Sequence, residues 1–322
     1  MIRGDKPRSR AGLGLYVHDP GSLANRHLPR LEWKTRYGSV LHPTLLGKPE
    51  EVLGLNVAMG CVHRCGFCSV RANPRYPGDQ LVYLYENTAE KLAAELRSRR
   101  PLPRAVFLSP STDPFPPYSQ IQQETVRAVE VLHRFGVEAW LMTRGIIRPF
   151  ALRCLEPFHD RLRIIVGLTT TDRSLQRTLE PLAAPPRLRL RQIARLRAMG
   201  CRVQAAVEPL LPGLTDTRAN LGPLLEALAA AGVTHVTAAY MFLRPGIRDN
   251  LERILEPHGC DETVLDAFER GPVLKTEYLK AARYLPKQRR QRGYATLMSL
   301  AANLGITVSV SGVTNPDFER SR

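Results

Sequence analysis

Three cysteines carry the strongest chemical signal in the chain. Cys61, Cys65 and Cys68 stand in the segment Gly60-Cys61-Val62-His63-Arg64-Cys65-Gly66-Phe67-Cys68, a C-x3-C-x2-C spacing. Thiolates this close on one tight loop can each bind one iron of a four-iron cubane, leaving the fourth iron open to a substrate or cofactor. A cluster that only carries electrons normally takes four cysteines. No fourth lies near: the others are Cys154, Cys201 and Cys260. A zinc site made of the same thiols and His63 is the rival reading. Structural zinc sites usually join two separated ligand pairs, and His63 sits between two of the cysteines instead.

A second set of chemistry-bearing residues recurs downstream. It comprises Ser109-Pro110-Ser111-Thr112-Asp113, Thr143-Arg144, Thr169-Thr170-Thr171-Asp172 and Glu208-Pro209. Each follows or ends a short apolar run of the kind that forms a buried strand. These runs cover 52–59, 105–108, 137–142, 162–168, 203–207 and 233–243. Polar residues gathered at one end of successive strands are what a cofactor site needs, although turns select the same residue types.

Amphipathic helix patterns lie between the runs. Ala89, Leu92, Ala93 and Leu96 follow i, i+3, i+4, i+7, as do Leu221, Leu224, Leu225 and Leu228. Continuous apolar strands separated by such helices predict a parallel sheet covered on both faces. The expected class is α/β, a partial (β/α)6 barrel of the TIM type. The gap from 52 to 105 exceeds the roughly 30 residues of one strand–helix unit, so the cysteine loop lies in an insertion. Three regions follow: an irregular basic N-terminal arm over 1–50, a (β/α)6 core over 51–243, and a mainly helical C-terminal extension over 244–322. The extension has helices near 249–255, 262–270 and 288–303 and a last strand at 306–310.

Composition bounds the setting. The 322 residues are 43% apolar and 24% charged, too apolar for a disordered chain. No apolar run reaches the ~20 residues of a membrane span, and the start lacks the apolar core of an export signal. Six cysteines are few for a disulfide scaffold, so a reducing, cytoplasmic location is expected. The net charge is +16, concentrated at the ends: 9 basic against 4 acidic residues in 1–50, and 10 against 3 in 270–322. Lys287, Arg289, Arg290 and Arg292 open the last predicted helix, where the helix dipole disfavours cations. A nucleic acid held by basic flanks is one reading. Arginine-rich codon usage is the other, since 39 of 46 basic residues are Arg.

The cysteine motif with Phe67 before its last cysteine resembles the radical S-adenosylmethionine enzymes. The wider set resembles their spore photoproduct lyase-like branch, also called DNA repair photolyase-like. That set includes Arg71, Ser111-Thr112-Asp113-Pro114-Phe115, Glu180-Pro181, Arg189-Leu190, Pro212-Gly213-Leu214-Thr215-Asp216 and Asn315-Pro316-Asp317. The resemblance implies a [4Fe-4S] cluster on Cys61, Cys65 and Cys68, S-adenosylmethionine as cofactor, and a one-electron donor such as a flavodoxin or ferredoxin. It implies that Ser111, Thr112 and Asp113 receive the methionine amino group and that Phe67 lies against the adenine. Thr143 and Arg144 would sit near the cofactor carboxylate or ribose, and Thr169 and Glu208 would complete the cofactor contacts. His63 would tune the cluster or brace its loop, and Glu180 would pair with Arg189.

One departure stands out. Residues 108–112 lack the cysteine hydrogen donor of spore photoproduct lyases, so the substrate differs or a tyrosine such as Tyr240 donates. No catalytic residue is named by the sequence. Nucleic acid is the candidate substrate. A radical enzyme acting on a small molecule or protein, and a zinc-stabilised nucleic-acid-binding protein without catalysis, remain open beside it.

Overall fold

The computed structural model describes residues 28–44, 51–244, 246–275, 281–312 and 314–318. The chain opens with β1 (Arg30–Lys34), β2 (His42–Pro43), β3 (Val52–Leu55) and β4 (Ala58–Met59). The insertion supplies β5 (Leu81–Tyr85) and α1 (Thr88–Ser98). Strands and helices then alternate through β6 (Ala105–Leu108), α2 (Ser119–Arg134), β7 (Glu138–Thr143), α3 (Pro149–Leu155) and β8 (Leu162–Gly167). They continue with α4 (Arg173–Leu179), α5 (Pro186–Ala198), β9 (Arg202–Leu210), α6 (Arg218–Ala230) and β10 (His235–Tyr240). The C-terminal stretch adds α7 (Ile247–Leu255), α8 (Asp261–Leu265), β11 (Val273–Leu274), β12 (Ala282–Arg283), α9 (Lys287–Ala302) and β13 (Thr307–Val310).

The main sheet has the order β13-β10-β9-β8-β7-β6-β3-β2, parallel throughout except for β2. Every residue of β3 and β6 is buried, as a parallel strand covered on both faces requires. The edge strand β13 instead alternates between exposed and half-buried positions. Helix starts follow local chemistry. Asp172 caps α4 by accepting from Ser174 N at 2.6 Å and Leu175 N at 3.0 Å. Pro149 and Pro186 occupy the first turns of α3 and α5, where a missing N–H costs nothing.

Four features differ from the sequence reading. The run at 52–59 is two strands: β3 stays in the main sheet, while β4 pairs with β5 in a small sheet of order β1-β5-β4. Part of the arm is regular, because β1 lies parallel along β5 from Arg30↔Leu81 to Lys34↔Tyr85. Residues 1–27 and 45–50 of that arm lie outside the described residues. Finally, β13 pairs with β10, so the C-terminal stretch shares the sheet of residues 51–243. Arg290 is also no surface cation: it is fully buried, with Nη1 on Asn315 Oδ1 at 2.7 Å and Nη2 on Asp317. Among the described residues no helix is long and apolar enough to cross a membrane.

Candidate cluster and cofactor site

The cysteine loop leaves β4 at Gly60, whose φ of +88° favours glycine. A Cβ there would lie 2.7 Å from Leu81 O, so the close approach to β5 also excludes a side chain. The loop is stitched to distant segments. Gly66 N donates to Leu179 O at 2.9 Å, Leu182 N to His63 O at 3.2 Å, and Asn250 Nδ2 of α7 to Gly66 O at 2.6 Å. Arg71 Nε closes it by donating to Cys65 O at 3.2 Å.

Cys65 is buried, and Cys61 and Cys68 are half-buried. Burial raises all three thiol pKa values, and for Cys61 the charges of Cys68 and Asp113 add to the rise. Arg144 opposes it at Cys65 and Cys68. Three such thiols become good thiolate ligands only beside concentrated positive charge, which an iron cluster supplies. His63 is not turned toward them as a fourth ligand. Its Nδ1 lies 3.1 Å from Leu182 O. Its Nε2 lies 3.0 Å from Asp113 Oδ2, a charge contact off the ideal hydrogen-bond line. Both ring nitrogens are thus engaged away from the thiols, against a Cys3His zinc set. Among the described residues no three His, Cys, Asp or Glu side chains gather closely enough to hold a single metal ion.

Asp113 is the hub of this region, and its partners differ from the sequence expectation. Oδ1 accepts from Thr143 Oγ1 at 2.7 Å and Phe115 N at 2.8 Å; Oδ2 accepts from Arg144 N at 2.7 Å and faces His63. Burial alone would raise its pKa, but His63 and these hydrogen bonds hold it below the usual carboxylate range. Three hydrogen bonds and the His63 contact engage both oxygens. The carboxylate therefore ties the β6 and β7 ends to the cluster loop and leaves no oxygen free for a cofactor ammonium. Thr143 is part of the same brace, accepting from Gly145 N at 2.9 Å.

Behind the hub lies a buried charge triad. Glu180 is fully buried and shared by Arg144 and Arg189, so the expected Glu180–Arg189 pair is present with a second cation added. Arg189 completes its fork on Ala184 O and Gly167 O, both at 2.6 Å. Arg144 reaches Glu208 O, and its guanidinium lies 5.1 Å from the Phe67 ring centroid, within cation–π range. Thr169 Oγ1 adds a 3.3 Å bond to Glu180, so it braces the triad.

Of the expected cofactor residues near the loop, Ser111 and Glu208 keep a free polar group, while Thr112 does not. Ser111 spends its N–H on Asn56 Oδ1 at 2.9 Å, and among the described residues its hydroxyl takes no bond. Thr112 Oγ1 donates to Gly60 O at 2.6 Å and lies beside Cys61. Glu208 has its pKa raised by burial, with Arg144 opposing. Among the described residues its carboxylate takes no hydrogen bond, although Arg144 is near. Tyr240 ends β10 with its hydroxyl on Asp216 Oδ2 at 2.7 Å and its ring edge-on to Tyr294. Sequence reasoning missed Asn250 and Asn56. Asn56 carried a usable signal, a polar residue interrupting the apolar run at 52–59.

No family model matches the chain. An uncharacterized protein of Mycobacterium tuberculosis is 30% identical over 241 residues, covering 71% of each chain. A radical SAM Nα-GlyT isomerase of Pseudomonas phage M6 is 28% identical over 184 residues, 56% of this chain and 37% of that one. Among solved structures, spore photoproduct lyase complexed with dinucleoside spore photoproduct has a TM-score of 0.68 at 14% identity, over 87% of this chain and 82% of that one. Streptococcus suis SuiB bound to S-adenosylmethionine has a TM-score of 0.54 at 13% identity, over 84% and 53%. These two likenesses are likenesses of fold.

Proposed function

We propose that this chain, which belongs to the family of that mycobacterial protein, is a radical S-adenosylmethionine enzyme that acts on nucleic acid from a partial-barrel sheet. It would hold a [4Fe-4S] cluster on Cys61, Cys65 and Cys68. When bound, cluster and S-adenosylmethionine supply reductive cleavage of the sulfonium and a 5′-deoxyadenosyl radical that removes a substrate hydrogen atom.

The chain's residues bind, orient and exclude water. Arg144 sets positive charge beside the thiolates and is kept in place by Glu180. Ser111 offers its hydroxyl to the cofactor's amino-acid end, Thr112 braces that turn through Gly60 O, and Phe67 offers an apolar face to the adenine. Glu208, whose carboxylate is free of hydrogen bonds among the described residues, replaces Asp113 as our choice of acceptor for a cofactor ammonium or ribose. Asp113, Thr143 and Thr169 act one step back, fixing His63, Arg144 and Glu180.

The observation that carries the reading is the three-thiol loop, held by backbone bonds beside the Arg144–Glu180 pair. The nucleic-acid substrate draws support from the +16 charge and from the dinucleoside in the lyase of similar fold. A cytoplasmic setting with a flavodoxin or ferredoxin as donor completes the proposal. The test is an anaerobic assay of reconstituted protein with dithionite. Formation of 5′-deoxyadenosine supports the reading; iron-loaded protein that never yields it refutes the reading. Altered nucleosides in hydrolysed nucleic acid of a deletion strain would identify the substrate, and an unaltered profile would turn the search to proteins or small molecules.

A further inference from the structure

Gly60 and Ser111 also border a cavity of about 210 Å³. Arg36, His42, Asn56, Asn73 and Arg75 line it, and no carboxylate does. Asp79, the partner of Tyr76 in its wall, is already taken by Arg71 at 2.9 Å and by the Tyr76 hydroxyl at 2.6 Å.

The wall is rich in donors. Asn56 Oδ1 accepts from Ser111 N, so its Nδ2 faces His42 Nε2 at 3.1 Å as donor. His42 therefore carries its proton on Nδ1 and gives it to Pro43 O at 3.1 Å. Gly54 makes room for that ring, since a Cβ there would lie 2.5 Å from His42 Cε1. Arg36 lies over the Tyr85 ring at 4.0 Å and spends one Nη2 bond on Asn56 O. Its Nε is buried without a hydrogen-bond partner. Arg75 is exposed, and among the described residues its guanidinium makes no ion pair; only its main-chain N–H is bound, to Asn73 Oδ1. Two guanidinium groups on a carboxylate-free cavity, whose wall also includes Ala58, Met59 and Val70, suit a tetrahedral oxyanion better than a cation.

We infer that this cavity is a phosphate subsite, in which Arg36 and Arg75 bind one phosphate group of the substrate beside the Ser111 turn. Only the source of that phosphate, a nucleic-acid strand, rests on the function proposed above.

The experiment uses full-length, cluster-loaded protein under anaerobic conditions and two probes. The first is inorganic phosphate, read by thermal shift against chloride at equal ionic strength. Phosphate should raise the wild-type midpoint and leave Arg75→Gln unmoved. Arg36→Lys keeps the charge but loses the fork, and should weaken the effect at least fivefold. The second probe is a fluorescent single-stranded oligonucleotide. Arg75→Gln should bind it about tenfold more weakly, with a salt slope smaller by about 0.7, one phosphate contact. Iron–sulfur absorbance should be equal in all variants. Phosphate stabilisation without oligonucleotide binding upholds the subsite and sinks the nucleic-acid reading. No phosphate effect in the wild type, or the same effect in Arg75→Gln and Arg36→Lys, overturns the subsite, even where the oligonucleotide binds.

Discussion

Glu180→Gln probes how the charged floor of the site is built. The fully buried carboxylate sits between Arg144 and Arg189, and Arg189 is fully buried too. Glutamine keeps the shape and one acceptor oxygen but removes the negative charge, leaving two guanidinium groups close together out of water. Breaking a buried pair by removing one partner costs about 3–5 kcal/mol. Arg189 keeps its two carbonyl acceptors and Arg144 keeps Glu208 O, so the lower end, about 3 kcal/mol, is expected. The assay is urea denaturation of the metal-free protein followed by far-ultraviolet circular dichroism.

The same pair predicts a pH dependence. Burial alone would raise the Glu180 pKa, but Arg189 and then Arg144 more than offset it and hold it below the usual carboxylate range. A lowered folded value means that the ionised pair stabilises fully above the unfolded pKa, about 4.3. That stability is lost as pH falls below about 4.3 through the folded value. Wild type should therefore lose stability across this acid window, and Glu180→Gln should lose less. A variant within about 1 kcal/mol of wild type at neutral pH, or an unchanged acid limb, would refute the triad's structural role.

Other outcomes can be checked alongside. Alanine at Cys61, Cys65 or Cys68 should abolish stable iron loading, whereas alanine at Cys154, Cys201 or Cys260 should leave iron content near normal; full loading of Cys65→Ala would refute the cluster assignment. Asp113→Asn should destabilise the metal-free protein by about 1.5–3 kcal/mol, because a buried carboxylate loses charge-assisted bonds. Unchanged stability with weakened S-adenosylmethionine binding would restore Asp113 as a cofactor contact. Gly293→Ala would place a Cβ 1.7 Å from the Tyr240 hydroxyl and should push that ring off Asp216, costing about 1–3 kcal/mol as overpacking does. Denaturation midpoints equal to wild type would show that α9 gives way instead.

What the sequence makes legible is what is local. The run at 105–108 is β6, that at 162–168 contains β8, and the Leu221–Leu228 stripe lies in α6, because each is decided by which face is buried. The cysteine loop reads out for the same reason, with all its thiols within eight positions. The residues that shape the site around it come from far away. Asn250 meets Gly66 across 184 positions, and no periodicity marks such a bond. Asp113 reads from the sequence as a cofactor contact, because its four partners belong to the cluster loop, the β6 turn and the β7 end, which only the folded sheet brings together. Arg290 looked like part of a basic patch. Its partners Asn315 and Asp317 were visible as a motif, but nothing in the spacing says that they close over α9.

The cysteine loop is held from outside itself, by Leu179, Leu182 and Asn250, and none of these bonds passes through a thiol. Its shape is therefore a property of the polypeptide rather than of the metal. A molecule stripped of its metal would keep an assembled socket instead of a collapsed one. For the cluster proposed on Cys61, Cys65 and Cys68, reassembly after loss would then reduce to delivering iron and sulfide to this backbone-held loop.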